Sequence, residues 1–490
     1  MGRFLSERGT GFLAALLAAA LSCALAPPGR AASPRAENSS LVETFAAFGD
    51  RGPGSLGAAR AAEFIRDGFE ELFPGQTGVH RFSVPVVDYR PGASLAVPGK
   101  GVLAIHPLAG NAMTPQTTGD AGIAGPLVYV AGGGLSALDK KPLSGAVVLM
   151  DLASGKNWQR AAGMGASALV YLDPGDSPKS RFSDKFELTP IAFPRFVVPA
   201  KEARRFLGDY ENAENGLVAD RASVTCLGAW KEAEAKNVWC LVPGADPKLS
   251  GQLLVLEAFY DATAWVPGKS PGAEEALSIA TLLWLAKDLA ENPPARSVLL
   301  AATAGHSRSL AGMRELVFAL HASGGDLEDL QNRLSQRAGH SDEMADALSG
   351  ASFPLDLPRQ REALVEEAVR EQIKTQVDGI AQRLMRLRLG EATVESQERI
   401  DRLARERFML RGLLWRSHYR ELPEEHARVL NNLIPPAVEL YIRMGEDARA
   451  RLARLSTVLA LRRAVEGQET AAVVSLHLSS HGDGMGAFNQ

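Results

Sequence analysis

Cysteine is scarce in this chain, with three in 490 residues. That excludes a fold stapled by several disulfides, so stability has to come from buried apolar cores. Excess positive charge is missing too. Lys and Arg number 53 against 57 Asp and Glu, for a net charge of -4, and no basic run is present to track a phosphate backbone. Nucleic acid is thereby excluded as a partner class. Long apolar runs are absent beyond the N-terminus, since no later segment has the roughly twenty residues that a bilayer span needs.

What is present begins with a leader. Arg3 and Arg8 precede an apolar run over 12–26, and small residues follow around Gly29 to Ala32. This reads as a secretory signal peptide over 1–32, with a core of about fifteen residues, short for a membrane span. The expected location is periplasmic or secreted. Membrane attachment would come only through an uncleaved signal or a lipid anchor, and Cys23 in "ALSCA" is a poor lipoprotein-type site. Of the other two cysteines, Cys226 and Cys240 flank "LGAWKEAEAKNVW" symmetrically about Ala233. A hairpin turning at that alanine would place them opposite each other as a disulfide worth about 3 kcal/mol. Two buried free thiols are the alternative.

The length suits roughly three domains. "SLGAARAAEFIRDGFEELF" carries Ala62, Phe64, Ile65, Phe69 and Leu72 near helical spacing, which predicts an amphipathic helix docked on a larger body. From about 84 to 199 the chain is rich in Gly and Pro with short apolar runs. Here 146–150, a helix around Trp158 to Gly163, and 167–172 predict a strand, helix, strand unit in a compact α/β module. Trp158 and Met164 are expected in its core.

A second α/β pattern starts at Asn237, with strands in "NVWCLVPG", "QLLVLEAFYD" and "SVLLAATAG" and a helix between the last two that stops at Pro293 and Pro294. Strand, helix, strand implies parallel pairing. Ligand sites in such sheets lie at the carboxyl ends of the strands, where Asp261 and His306 fall. A helical tract over 326–469 follows. Val365, Val369, Ile373, Val377, Ile380, Leu384 and Leu387 mark its apolar stripe, which predicts a helical hairpin or coiled-coil-like arm. A last strand, "AAVVSLHLSSHGDG", leads to Gln490.

These segments resemble the family-twenty-eight zinc metallopeptidases, the group of bacterial leucyl aminopeptidases and glutamate carboxypeptidase. The resemblance rests on "GDRGPGSLGAARAAEFI", "AAGMGASALVYLD", "NVWCLVPGADPKLSGQLLVLEAFYDA" and "GAEEALSIATLLWLAKDLAENPPARSVLLAATAG". It covers most of 40–313 and resumes at Ala471. The fold it implies is an α/β body with an aminopeptidase-like, mostly parallel sheet flanked by helices. A smaller protease-associated α/β domain and a long helical insertion complete it. The implied divisions are an N-terminal helix region at 40–80, a protease-associated-like domain at 81–200, and the first part of the peptidase-like domain at 201–325. The insertion takes 326–469, and a returning strand at 470–490 ends inside the family's pattern.

The family's chemistry needs two bridged zinc ions and a glutamate that takes a proton from metal-bound water. By resemblance, Phe259 stands where the family has its first His ligand, and a phenyl ring cannot ligate zinc. Glu275 in "GAEEALSI" falls on the bridging Asp with a longer reach. Gly305 falls on the general base, so no catalytic residue is assigned. His306 and His477 fall on two further ligand positions, and the final His ligand would lie beyond Gln490. Glu275, His306 and His477 remain as a set that would suit one zinc ion with open positions, and Asp261 is a supporting acid. Ser307 and Ser309 lack a nucleophile elbow and read as loop residues; His481 and Asp483 read as a solvated turn.

The expectation is therefore a metallopeptidase-like protein without catalysis that serves in binding or assembly of a peptide or protein ligand. One rival is an active zinc-dependent amino- or carboxypeptidase with a rearranged site. The other is an interaction protein whose arm binds another protein or a second copy.

Overall fold

The structure is a computed structural model that describes residues 34–109, 113–262, 265–269, 272–390 and 393–478. The leader with Cys23, and the pair His481 and Asp483, lie outside those residues. No helix among the described residues is long and apolar enough to cross a membrane.

Two sheets organise the chain. The first has strand order β1-β10-β12-β11-β13, from β1 (Thr77–Tyr89), β10 (Gly228–Val242), β11 (Gln252–Phe259), β12 (Ser297–Thr303) and β13 (Glu469–Leu476). β11 lies parallel to β12 and β13, whereas β10 is antiparallel to both β1 and β12. The sheet is thus mixed, and the expected mostly parallel sheet is corrected. Its cause is β1 and β10, whose ladder runs from Thr77 opposite Cys240 to Tyr89 opposite Gly228.

That ladder also corrects the disulfide. "WKEAEAKN" alternates without a turn residue, and β10 passes straight through Ala233. Twelve strand residues at about 3.3 Å each put some 40 Å between the cysteines, far beyond disulfide reach. Both thiols are free and buried. Burial pushes Cys226 up to about 11 and Cys240 up to about 12, so neither is a ready nucleophile. Cys226 packs in the core of the second sheet and Cys240 in that of the first.

The second sheet has the order β3-β2-β9-β5-β6-β7-β8-β4. It comprises β2 (Ser94–Val97), β3 (Gly101–Ala104), β4 (His106–Pro107), β5 (Ile123–Tyr129), β6 (Val147–Asp151), β7 (Ala168–Asp173), β8 (Arg195–Pro199) and β9 (Leu217–Thr225). β5 through β8 pair in parallel, and the unit read from sequence is β6, a helix at Trp158–Gly163, and β7. Through β9 this sheet extends past residue 200. Trp158 is buried as expected, but Met164 is 48% exposed. It is the C-cap of that helix, between Gly163 and Gly165, where the chain leaves the helix.

Helices cover both faces of the first sheet. α1 (Pro34–Ala47), α2 (Leu56–Leu72) and α3 (Ala276–Glu291) bury Ile65, Phe69, Ile279 and Leu282 with Val238, Ala258 and Leu300. On the other face, α4 (Ala311–His321), α5 (Gly324–Leu348) and the C-terminal half of α8 (Glu424–Ala464) cover Leu253, Val255 and Leu299. Between them, α6 (Arg359–Leu389) and α7 (Val394–Leu414) form the arm. The stripe from Val365 to Leu384 is buried against Leu430, Leu433, Ala437 and Tyr441 of α8. At about 1.5 Å per residue α8 is some 60 Å long, so one helix supports both the arm and the sheet.

Candidate functional site

The site is built where β11, β12 and β13 end. Asn237 of β10, fully buried, holds the loop that leaves β12: its Oδ1 accepts from Ala304 N–H at 3.1 Å, and its Nδ2 donates to the Gly312 carbonyl at 2.7 Å. Gly305 follows with φ +72°, a left-handed conformation that favours glycine. A Cβ there would lie 3.0 Å from that of Ala311.

This loop delivers His306 onto Phe259. The rings stack with centroids 3.8 Å apart at 19°, and His477 meets both edge-on, 5.3 Å from Phe259 and 5.2 Å from His306. Beneath them, two residues earlier on β11, Glu257 is buried and accepts hydrogen bonds from the hydroxyls of Thr303 and Ser475. Burial holds its carboxyl above the usual range, against those two bonds. The sequence signal for Glu257 was one acid inside the apolar run "QLLVLEAF"; the reading from sequence passed over it.

Asp261 is also buried. It accepts from His306 N–H through both oxygens, at 3.2 and 3.1 Å. Burial pushes its carboxyl up to about 7, against the His306 N–H and the Arg51 charge, which lower it.

Arg51, fully buried, is a second residue to which the sequence did not point. Its Nε donates to the Tyr260 carbonyl at 2.9 Å, Nη1 to that of Phe45 at 2.7 Å, and Nη2 to that of Gly272 at 2.7 Å. Burial lowers the guanidinium's pKa; the charges of Glu275, then Asp261, then Asp50 pull it back up. A Cβ on Gly272 would stand 3.1 Å from Arg51 Nη2 and 3.4 Å from Glu275 Oε2, so the two groups flank one point.

Of the candidate ligands, His306 and His477 are brought together, while Glu275 faces a guanidinium. No three His, Cys, Asp or Glu side chains among the described residues converge as a metal site. A zinc ion needs several lone pairs aimed at one centre, and a fixed cation beside the only carboxylate of the set opposes a second one. The residues present do not fit zinc. Ser307 and Ser309 sit in the loop, and Ser307 with Arg308 lines a neighbouring cleft.

No family model matches the sequence, and none of the curated proteins does. Solved structures similar in fold include a zinc aminopeptidase from Bacillus subtilis, at 18% identity and TM-score 0.41, over 60% of this chain and 66% of that one. An aminopeptidase from Aneurinibacillus sp. strain AM-1 shows 17% identity and TM-score 0.37, over 60% and 67%. A peptidase M28 precursor from Shewanella amazonensis SB2B shows 17% identity and TM-score 0.39, over 57% and 68%. The chain spans about two thirds of the length of these proteins.

Proposed function

We propose that this chain is an exported, metallopeptidase-like protein that holds a peptide or protein ligand without hydrolysing it. The observation that carries this reading is Arg51. A buried guanidinium beside Glu275 and Asp261 already supplies the positive charge that the family's chemistry takes from metal ions, and its donors are engaged by three carbonyls. Hydrolysis also needs a group to take a proton from water. Gly305 stands at that position, and Phe259 carries no lone pair for a metal. The leader sequence supports export to the periplasm or beyond.

The test is metal analysis of the purified chain together with an aminopeptidase and carboxypeptidase assay in added zinc. No bound zinc in stoichiometric amount and no chelator-sensitive turnover are expected. Turnover that a chelator abolishes and that E275Q or H306A removes would overturn the reading in favour of an active peptidase.

A second reading assigns function to the arm. Phe408 of α7 is 83% exposed and Trp415, the C-cap of α7, is 81% exposed. Exposed rings of this size mark contact surfaces. Sedimentation of the full chain beside an F408S/W415S variant checks it: a dimer lost in the variant supports self-association through the arm, and a monomer in both removes that role.

A further inference from the structure

The cleft beside the site has a volume of about 700 Å³. Its walls are the loops after β11 and β12, the end of β1, the loop before α2, and the near edge of the second sheet. Trp265 is held to segments that flank the second sheet, because Ala109 N–H donates to the Trp265 carbonyl at 2.7 Å and the Trp265 ring meets Phe186 edge-on at 5.8 Å.

Two donors in this lining are buried and unsatisfied, Arg308 Nε and Trp265 Nε1. Arg308 has burial acting against its charge, with only Tyr89 and Asp261 acting in its favour. Neither relieves it: Asp261 is turned to the His306 N–H, and the Tyr89 hydroxyl accepts from Gln116 N–H at 3.0 Å. The acids of the lining are engaged elsewhere. Asp88 pairs with Lys231 at 3.0 Å, and Asp50 accepts from Gly52 N–H and Gly268 N–H, each at 2.9 Å. Arg308 and Trp265 are each half-buried, but an N–H shut off from water at either one wants an acceptor, and a guanidinium favours an anionic one. The cleft therefore offers positive charge and donors, with apolar ring walls, and lacks an acidic group of its own to meet them.

We propose that this cleft binds a ligand bearing a carboxylate next to an apolar body. Arg308 receives the carboxylate through its guanidinium fork, Trp265 Nε1–H adds a donor, and the rings of Trp265 and Phe186 contact the apolar part. The proposal deepens the binding role above by giving the ligand's chemistry. It does not depend on whether peptides are cut.

The experiment uses the full chain and two probes without a cleavable bond, 3-phenylpropionate and 3-phenylpropanol, measured by titration calorimetry. The acid is expected to bind about tenfold or more tighter than the alcohol, the scale of one charge-assisted contact. R308Q should bring the acid down to the alcohol's affinity and leave the alcohol unchanged, with the thermal midpoint checking that the variant folds. W265F keeps a ring and removes one donor, and should weaken the acid about threefold or more; it gives an independent reading if R308Q does not fold. Equal affinity for the two probes, binding of neither, or an acid preference that survives R308Q overturns the proposal. Inorganic phosphate binding as tightly as 3-phenylpropionate overturns the carboxylate assignment. Peptide turnover would sink the non-hydrolytic reading and leave this result standing.

Discussion

Single residues decide the chemistry here. Gly305 is held in a left-handed conformation 3.0 Å, by its would-be Cβ, from that of Ala311. Placing an acid at that position meets both strain and crowding, so G305E should lower stability by about 1–3 kcal/mol and yield no aminopeptidase turnover. Urea unfolding beside a turnover assay checks both. An undiminished midpoint, or measurable turnover, would show that the loop accommodates a base. Asp261 and His306 were legible from sequence as strand-end residues, because each follows a short apolar run directly. Arg51 was not, since its partners Tyr260 and Gly272 lie 209 and 221 residues away.

Among the elements, β10 does the most to place the site. Its Asn237 reaches the backbone of Ala304 and Gly312, 67 and 75 residues on. N237A would leave the buried Ala304 N–H without its partner and remove the second bond at the Gly312 carbonyl, and should cost about 1–3 kcal/mol. Thermal unfolding measures this; a loss below half a unit would mean that the loop is held by other contacts. "NVWCLVPG" was readable as a strand from its apolar alternation, and β11, β12 and the helix between them likewise. The first half of β10 was misread as a hairpin turn, because an alternating polar run fits one long strand as well as two short ones. Only the pairing with β1 selects between them.

At the scale of the whole molecule, the β1–β10 ladder ties the first sheet to the start of the second, and His80 of β1 is buried inside it with both ring nitrogens unpartnered. Burial lowers its pKa from the usual range to about 4. The folded protein thus refuses a proton that the unfolded chain accepts from about pH 6.5 downward. The stability this contributes is complete above that pH and is lost as pH falls toward 4, about 2 kcal/mol near pH 5. H80L removes the titration. Its stability relative to the parent chain should therefore improve by that amount between neutral pH and pH 5, as read by urea midpoints; a pH-independent difference would refute the assignment.

Local periodicity was enough to determine the strand, helix, strand units and the buried stripe of the arm, because each depends on neighbours a few positions apart. Tertiary structure alone decided that Cys226 and Cys240 lie in separate cores, that Arg51 stands beside Glu275 and Asp261, and that Arg308 and Trp265 share one cleft. The physical reason is distance along the chain. Charge compensation and cavity shape arise where segments hundreds of residues apart return to the same point, and no spacing rule records that return.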